Sequence, residues 1–567
     1  MIVKSPLRAV TAPALALLFT ACPLTSTSMP KDSGPKVTGV DAPGPVDAAS
    51  AKPQDILTQR GDSSRTGIYS HETLLTQANV NKQSFGKLFT VPVDGFVWAQ
   101  PLYVSSLAVG GKTRNVLIVA TAHNSVYAFD ADAGGSPLWH TSLGPSVPST
   151  AIVSWYNDIC VEVGITSTPV IDRVNGLIYI ANKDYYGPDG GQVINHRFHV
   201  LDLVTGQERK GSPVLINVSI PGTVDKGTTL TFEPRIELQR TGLLLLNGIV
   251  YMGFAAHGDL QPSHGFIAGY QYNVGTGVVT QSYAWSTTQD GDMGGVWQGG
   301  QGLTADSAGN IYAMVSNGST TVQNGGTSYA QAFLKMSPSL HVLDYFIPAT
   351  FDHLSATDTD VGAGGPVLVP GTSLVVGAGK GGILYVVNTA NMGHVIPSTA
   401  ADAGDPQIVQ EFQITKAFYG SPLVWVNGGT TRLYIWGPGD PVKQFVLSGS
   451  TFGTTPAATS TATTIPAAYE GADPVGILAM SSNGSAPGSA ILWASKPLAN
   501  PNRTTVSGML YAFDPVTLNE LWDSTQVATD SLGNYAKFAV PTVANGKVYM
   551  ATHSGTVAVY GLKSGGS

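Results

Sequence analysis

Residues able to do chemistry are spread thinly along this chain, and few stand at a diagnostic spacing. Gly377-Ala-Gly379-Lys380-Gly-Gly382 fits the glycine pattern of a dinucleotide loop. That chemistry needs a following helix whose N-terminus receives the phosphates, whereas Ile383-Leu-Tyr-Val-Val reads as a strand. A glycine-rich hairpin is expected instead. Asp290-Gly-Asp292-Met-Gly294 and Asp358-Thr-Asp360-Val-Gly362 have the outline of calcium loops. Calcium takes about six to eight oxygens and neither loop supplies a full set, so both are expected to be acidic turns. His257-Gly-Asp259 with His264 lacks the clustering of a zinc site, and structural or solvent-facing roles are expected. Cys160, ahead of Val161-Glu162-Val-Gly164, is expected to be a buried or loop thiol. There is no Gly-x-Ser-x-Gly elbow. No catalytic set and no metal site can be assigned from spacing.

The elements that position these residues recur. A small or polar residue followed by apolar residues, often with Tyr or Trp, begins at Asn115, Gly176, Gly248, Gly309, Thr372, Thr431, Ser489 and Gly546. The steps between them are 61, 72, 61, 63, 59, 58 and 57 residues. Unrelated strands would not keep such a step. A proline usually precedes each run, at 101, 169, 234, 366, 422, 474 and 541, with Gly302 in the fourth unit. Proline has no N–H to lose and tolerates the start of a strand. A third strand follows, as in Val126-Tyr-Ala-Phe-Asp130 and Leu510-Tyr-Ala-Phe-Asp514. Long amphipathic helix patterns are absent. The reading is all-β: an eight-bladed β-propeller of four-stranded antiparallel blades. Solenoid stacking is the rival, and its repeats are usually shorter, about 20–45 residues. The last unit lacks an outer strand, and Phe85-Gly-Lys-Leu-Phe-Thr-Val-Pro-Val is spare upstream. Pairing the two ends would close the ring and remove exposed edges.

Ala512-Phe-Asp514-Pro-Val-Thr517 reaches Trp522, Asp202-Leu-Val-Thr205-Gly206 gives the same turn, and Ala128-Phe-Asp130 reaches Trp139. This resembles the repeat of quinoprotein alcohol dehydrogenase-like propellers, the PQQ-repeat family, in its bacterial lipoprotein type. Arg65-Thr-Gly, Asn79-Val80 and Phe85-Gly-Lys-Leu-Phe resemble that family's lead-in. The resemblance spans about residues 58–562. It implies an indole docked between neighbouring blades. It also brings pyrroloquinoline quinone (PQQ) and Ca2+ into view as cofactors. Enzymes of that type usually carry adjacent cysteines beside the quinone and a Glu, an Asn and an Asp on the metal. This chain has two cysteines, Cys22 and Cys160, and no adjacent pair.

In a four-stranded blade, the loop entering the inner strand and the loop joining the second and third strands share one face. That face is expected to carry Glu162, Arg235, His257, Asp259, Trp297, Asp360, Lys380, Asp440 and Lys537 at the channel mouth. A tricarboxylate quinone would need cations such as Arg235, Lys380 and Lys537. A binding or scaffold role at the cell envelope is the first functional reading. A PQQ-dependent dehydrogenase acting on an alcohol or sugar is the alternative, and a hydrolase or lyase using the same mouth is a third class.

The first residues write an address. Lys4 and Arg8 precede an apolar run from Ala9 to Ala21, about a dozen residues. That is too short to span a bilayer and reads as a secretory signal peptide over residues 1–21. Leu18-Phe19-Thr20-Ala21-Cys22 resembles the lipobox of bacterial lipoproteins, with Phe19 where Leu is usual. Lipidation is expected at Cys22. Residues 22–57 form a Pro-, Ser- and Ala-rich tether, unable to bury enough apolar surface to order itself. The membrane, through this anchor, is one expected partner. An unknown protein or small molecule is another, and a monomer is expected. Charged residues are 12% of the chain, against a usual value of about 25%, and the net charge is −8. A broad phosphate-neutralising surface, and with it nucleic-acid binding, is excluded.

Overall fold

The computed structural model describes residues 54–563, except 157, 188–190, 225–226 and 464–475. The signal segment, Cys22, nearly all of the tether and Pro474 lie outside the described residues. Eight antiparallel sheets follow one another as blades. Blade 1 is Leu102–Val109, Lys112–Ala120, Ser125–Asp130 and Gly134–Ser142. Blades 2 to 7 repeat the meander, with second strands Leu177–Tyr185, Ile249–Ala256, Ile311–Met314, Leu374–Ala378, Thr430–Ile435 and Ile491–Pro497. Each contains one of the periodic apolar runs. These strands are apolar on both faces because each blade is covered by a neighbour on either side. In Leu177–Tyr185 every residue but the last is buried. Burying each such aliphatic side chain contributes roughly 1.5–3 kcal/mol.

Blade 8 is Thr542–Ala544, Lys547–Ala551 and Thr556–Leu562, and Phe85–Pro92 completes it from the other end of the chain. Phe85 is opposite Leu562 in that pairing. Its ring is fully buried, 4.9 Å from Trp522 edge-on and 5.5 Å from Trp493. The repeated turns are built as their sequence implies. Asp202 Oδ1 accepts from the Val204 and Thr205 amides at 3.0 and 2.9 Å, and Asp514 Oδ1 from those of Val516 and Thr517. Gly206, at φ +70°, ends the first of these turns against the Trp139 indole of blade 1, where a Cβ would overlap the ring. The Gly377–Gly382 segment is a hairpin between Leu374–Ala378 and Ile383–Asn388.

Two departures from the regular pattern matter. The inner strand of blade 3 does not begin at Pro234. It runs as Glu237–Gln239 and Leu244–Leu246, both paired with Ile249–Ala256, with a break at 240–243. The second departure is a hub. Residues 56–69 run through the channel and hydrogen-bond at or beside the inner strand of every blade. Ile56 bridges Tyr103 of blade 1, and Leu57 O accepts from Ile171 N of blade 2. Arg65 donates to Leu243 O and Leu303 O of blades 3 and 4, and Ser64 O accepts from Leu368 N of blade 5. Arg60 donates to Pro422 O of blade 6 at 2.7 Å. Ile68–Tyr69 pairs parallel with Met480 and Ser481 of blade 7, and Tyr69 Oη donates to Pro541 O beside blade 8. The hub takes in Ile56 and Leu57, so its hydrogen bonding starts ahead of the tether boundary expected at residue 57. Among the described residues no helix is long and apolar enough to cross a membrane.

Candidate functional site

The two loop classes singled out by strand order enclose a cavity of about 400 Å³ at the channel mouth. Its walls divide largely by charge, apart from Asp158, which pairs with Arg503 at 2.9 Å. One side is formed by Trp98, in the segment leading into blade 1; Arg240, in the break of blade 3; and Lys537 with Phe538, leading into blade 8. The Arg240 guanidinium lies 5.5 Å from the Trp98 ring centre and 5.0 Å from that of Phe538, and Lys537 Nζ lies 5.4 Å from Trp98. Such cation–ring contacts contribute about 0.5–2 kcal/mol each. Gly300, at φ +88°, leaves Arg240 its room, since a Cβ there would stand 2.8 Å from Nη1.

Arg240 Nη1 donates to Thr166 O. Its Nη2 is buried with no hydrogen-bond partner, and so is Trp98 Nε1. Both atoms sit behind the cavity surface rather than on it, with Arg240 Nη2 packed against Gly300. Burial lowers the Arg240 guanidinium to about 10, with the Tyr156 hydroxyl offsetting part of it, so the group is a cation at neutral pH. His553, stacked on Phe96 and tilted against Trp98, is lowered to about 3 by burial and then by Lys537 and Arg240. It stays neutral beside two cations.

The opposite side is acidic. Asp259 comes from the loop between the second and third strands of blade 3, Asn317 and Lys380 from the same loop in blades 4 and 5, and Asp358 and Asp360 from the entry to blade 5. Lys380 Nζ bridges the two carboxylates, 2.7 Å from Asp358 Oδ1 and 2.8 Å from Asp360 Oδ2. Burial opposes its charge, but the paired carboxylates more than offset that and hold the ammonium protonated. Asn317 donates its amide to Asp360 and its side-chain nitrogen to Asp358. Asp259 opens to the cavity but is recessed in it. Burial first, then repulsion from Asp360 and Asp358, pushes its carboxyl up to about 6.

Of the nine residues placed on this face by strand order, Asp259, Trp297, Asp360, Lys380 and Lys537 line the cavity. The others are held elsewhere. Glu162 pairs with His123 at 2.9 Å, exposed Arg235 donates to Ile152 O, and Asp440 pairs with Lys443 at 2.7 Å. His257 is fully buried, with its Nε2 2.8 Å from Lys183 Nζ. Cys160 is a half-buried free thiol in the loop before blade 2. Asp290 is a filled acidic turn, accepting from Thr321, Thr327 and Ser328. Trp98, Arg240 and Phe538 were not anticipated. The one sequence signal for Arg240 is a charged residue inside the run leading to an inner strand.

No family model matches the chain, and no curated protein is similar to it. Solved structures are. A quinohemoprotein alcohol dehydrogenase from Comamonas testosteroni superposes with a TM-score of 0.56 at 15% identity, covering 90% of this chain and 80% of that one. A second quinohemoprotein alcohol dehydrogenase, from Pseudomonas putida, gives 0.50 at 14% identity with the same coverage. At these identities the likeness establishes the fold: this chain has the propeller architecture of those dehydrogenases.

Proposed function

We propose that this protein is an exported ligand-binding propeller of the cell envelope, tethered through Cys22, whose channel-mouth cavity takes a small organic anion. One observation carries the reading: Arg240, a buried cation with no carboxylate partner among the described residues, lines the cavity between the rings of Trp98 and Phe538. A desolvated charge left without a counter-charge is costly, and a carboxylate on a ligand would supply one. The charged start, the short apolar run and Ala21-Cys22 support export and anchoring.

PQQ, the cofactor implied by the family resemblance, fits one side of this cavity and not the other. Arg240, Lys537 and the rings beside them suit a planar carboxylate. The acidic side does not suit the metal, because Lys380 Nζ already sits between the Asp358 and Asp360 oxygens that a divalent cation would need. Among the described residues no three or more His, Cys, Asp or Glu side chains form a metal-holding group. No reaction step is derived through that cofactor. The dehydrogenase reading draws on one feature, the Asp259 carboxyl, which exchanges its proton near neutral pH as a general base must.

Calorimetry of the protein with PQQ and with simpler aromatic carboxylates, with and without Ca2+, followed by dye-linked oxidation of alcohols and sugars, separates the readings. The expected result is carboxylate binding without turnover, weakened in Arg240→Ala. Turnover with PQQ would replace the binding reading with the dehydrogenase. Failure of every carboxylate to bind would remove it.

A further inference from the structure

We infer that the ligand of this cavity is a zwitterion, an amino acid or short peptide, with its carboxylate toward Trp98 and Arg240 and its ammonium toward Asp259 and the Asp358–Asp360 pair. The inference rests on the proposal that the cavity takes an organic carboxylate, and it names the class of molecule that carries it. Its basis is the division of one small space into two poles. On the first, the cations of Arg240 and Lys537 flank the Trp98 ring, and Arg240 has no carboxylate partner among the described residues. On the second, three carboxylates, Asp259, Asp358 and Asp360, face a single ammonium, Lys380. The second pole therefore carries an excess of negative charge.

A simple polyanion satisfies the first pole and is repelled by the second. A simple cation does the reverse, drawn to the second pole and repelled by Arg240 and Lys537. A molecule with one charge of each sign satisfies both. Between the poles the wall is aromatic, with Trp155, Tyr156, Trp297 and Phe538, and Trp297 meets Phe538 edge-on at 5.9 Å. An apolar or aromatic body suits that stretch. A volume of about 400 Å³ lies near the lower end of small-molecule sites, roughly 300–1,000 Å³. Amino acids and dipeptides fit that size better than larger cofactors do.

The test is calorimetry on the full chain with L-tryptophan and L-phenylalanyl-L-phenylalanine, each beside its N-acetyl and C-terminal amide derivatives, with indole-3-acetate and PQQ as plain anions. At least one zwitterion is expected to bind, and blocking either end to weaken it tenfold or more. Arg240→Gln is expected to abolish the penalty for amidation while keeping that for acetylation. Asp259→Asn is expected to do the opposite. Unfolding midpoints of both variants establish that they are folded. If an N-acetyl derivative binds as tightly as its parent, or if indole-3-acetate or PQQ binds and no zwitterion does, the inference fails and the anion-binding proposal stands. A strict requirement for Ca2+ overturns the inference as well, because the metal would then be the occupant of the acidic pole. If nothing in the panel binds, both fail.

Discussion

Two stretches of the central channel hold buried arginines, and they treat them differently. In the hub, Arg60 and Arg65 are 2% and 0% exposed, and at the mouth Arg240 is 4% exposed. Burial lowers all three guanidinium groups to the same value, about 10. The hub residues are fully provided for. Arg65 donates through Nε to Leu303 O, through Nη1 to Gln59 O and Thr58 Oγ1, and through Nη2 to Leu243 O. Arg60 reaches Arg65 O, Thr66 O, Ser421 O and Pro422 O. Arg240 has Thr166 O, two aromatic faces and an unpaired Nη2. Equal desolvation with unequal pairing separates a fastener from a binding group. The hub arginines tie their segment to blades 3, 4 and 6, whereas Arg240 keeps a charge that no carboxylate among the described residues meets.

The sharpest way to break this comparison is to remove one arginine of each kind. Arg65→Met leaves the carbonyls of Gln59, Leu243 and Leu303 without their donor, at about 1–3 kcal/mol for each unmet group. We expect a loss of about 4 kcal/mol or more in urea unfolding, or failure to recover folded protein. A loss under about 1 kcal/mol would show that the hub fills the channel without fastening it.

Arg240→Met should behave otherwise. It forfeits one hydrogen bond and two ring contacts, but it also removes a desolvated charge that has no carboxylate partner. Replacing such a charge by an apolar side chain of similar size is often neutral or stabilising. The expected unfolding free energy lies within about 1 kcal/mol of the wild type. A loss as large as that of Arg65→Met would place Arg240 among the fasteners and end the distinction.

The two stretches also differ in how far their sequence announced them. The blades were readable because apolar alternation, a leading proline and an Asp-Thr turn recur at a near-constant step. Strand order alone then put Asp259, Trp297, Asp360, Lys380 and Lys537 at the mouth. It did not bring Glu162, Asp440 and His257 to the cavity: His123 and Lys183, from other segments, hold Glu162 and His257, and Lys443, three residues on, holds Asp440. Arg240 was hidden for a different reason. The break that brings Arg240 into the cavity wall is set by the pairing of Glu237–Gln239 and Leu244–Leu246 with one neighbour, a tertiary feature that the local pattern after Pro234 does not signal. Arg60 and Arg65 were hidden too. A lone arginine is read as exposed, and only a closed ring offers enough inward carbonyls to bury one.

The smallest expected effect sharpens the comparison from the acidic side of the mouth, through pH. Asp259 has its folded-state carboxyl raised from 3.8 to about 6, by burial and by Asp360 and Asp358. A group raised in this way binds more protons folded than unfolded between those two values. Its contribution to stability is therefore fully present below about pH 4, falls as pH rises, and is gone once pH passes about 6. Asp259→Asn carries no charge to repel its neighbours, so that decline should disappear, leaving the variant more stable than the wild type above pH 6. Urea midpoints taken from pH 3.5 to 7.5 on both proteins read this directly. Arg240→Met gives a control, because it removes a group that does not titrate in that window and should leave the shape of the curve unchanged. An Asp259→Asn curve parallel to the wild type's would mean that Asp259 does not feel Asp358 and Asp360, and the acidic pole of the mouth would lose its basis.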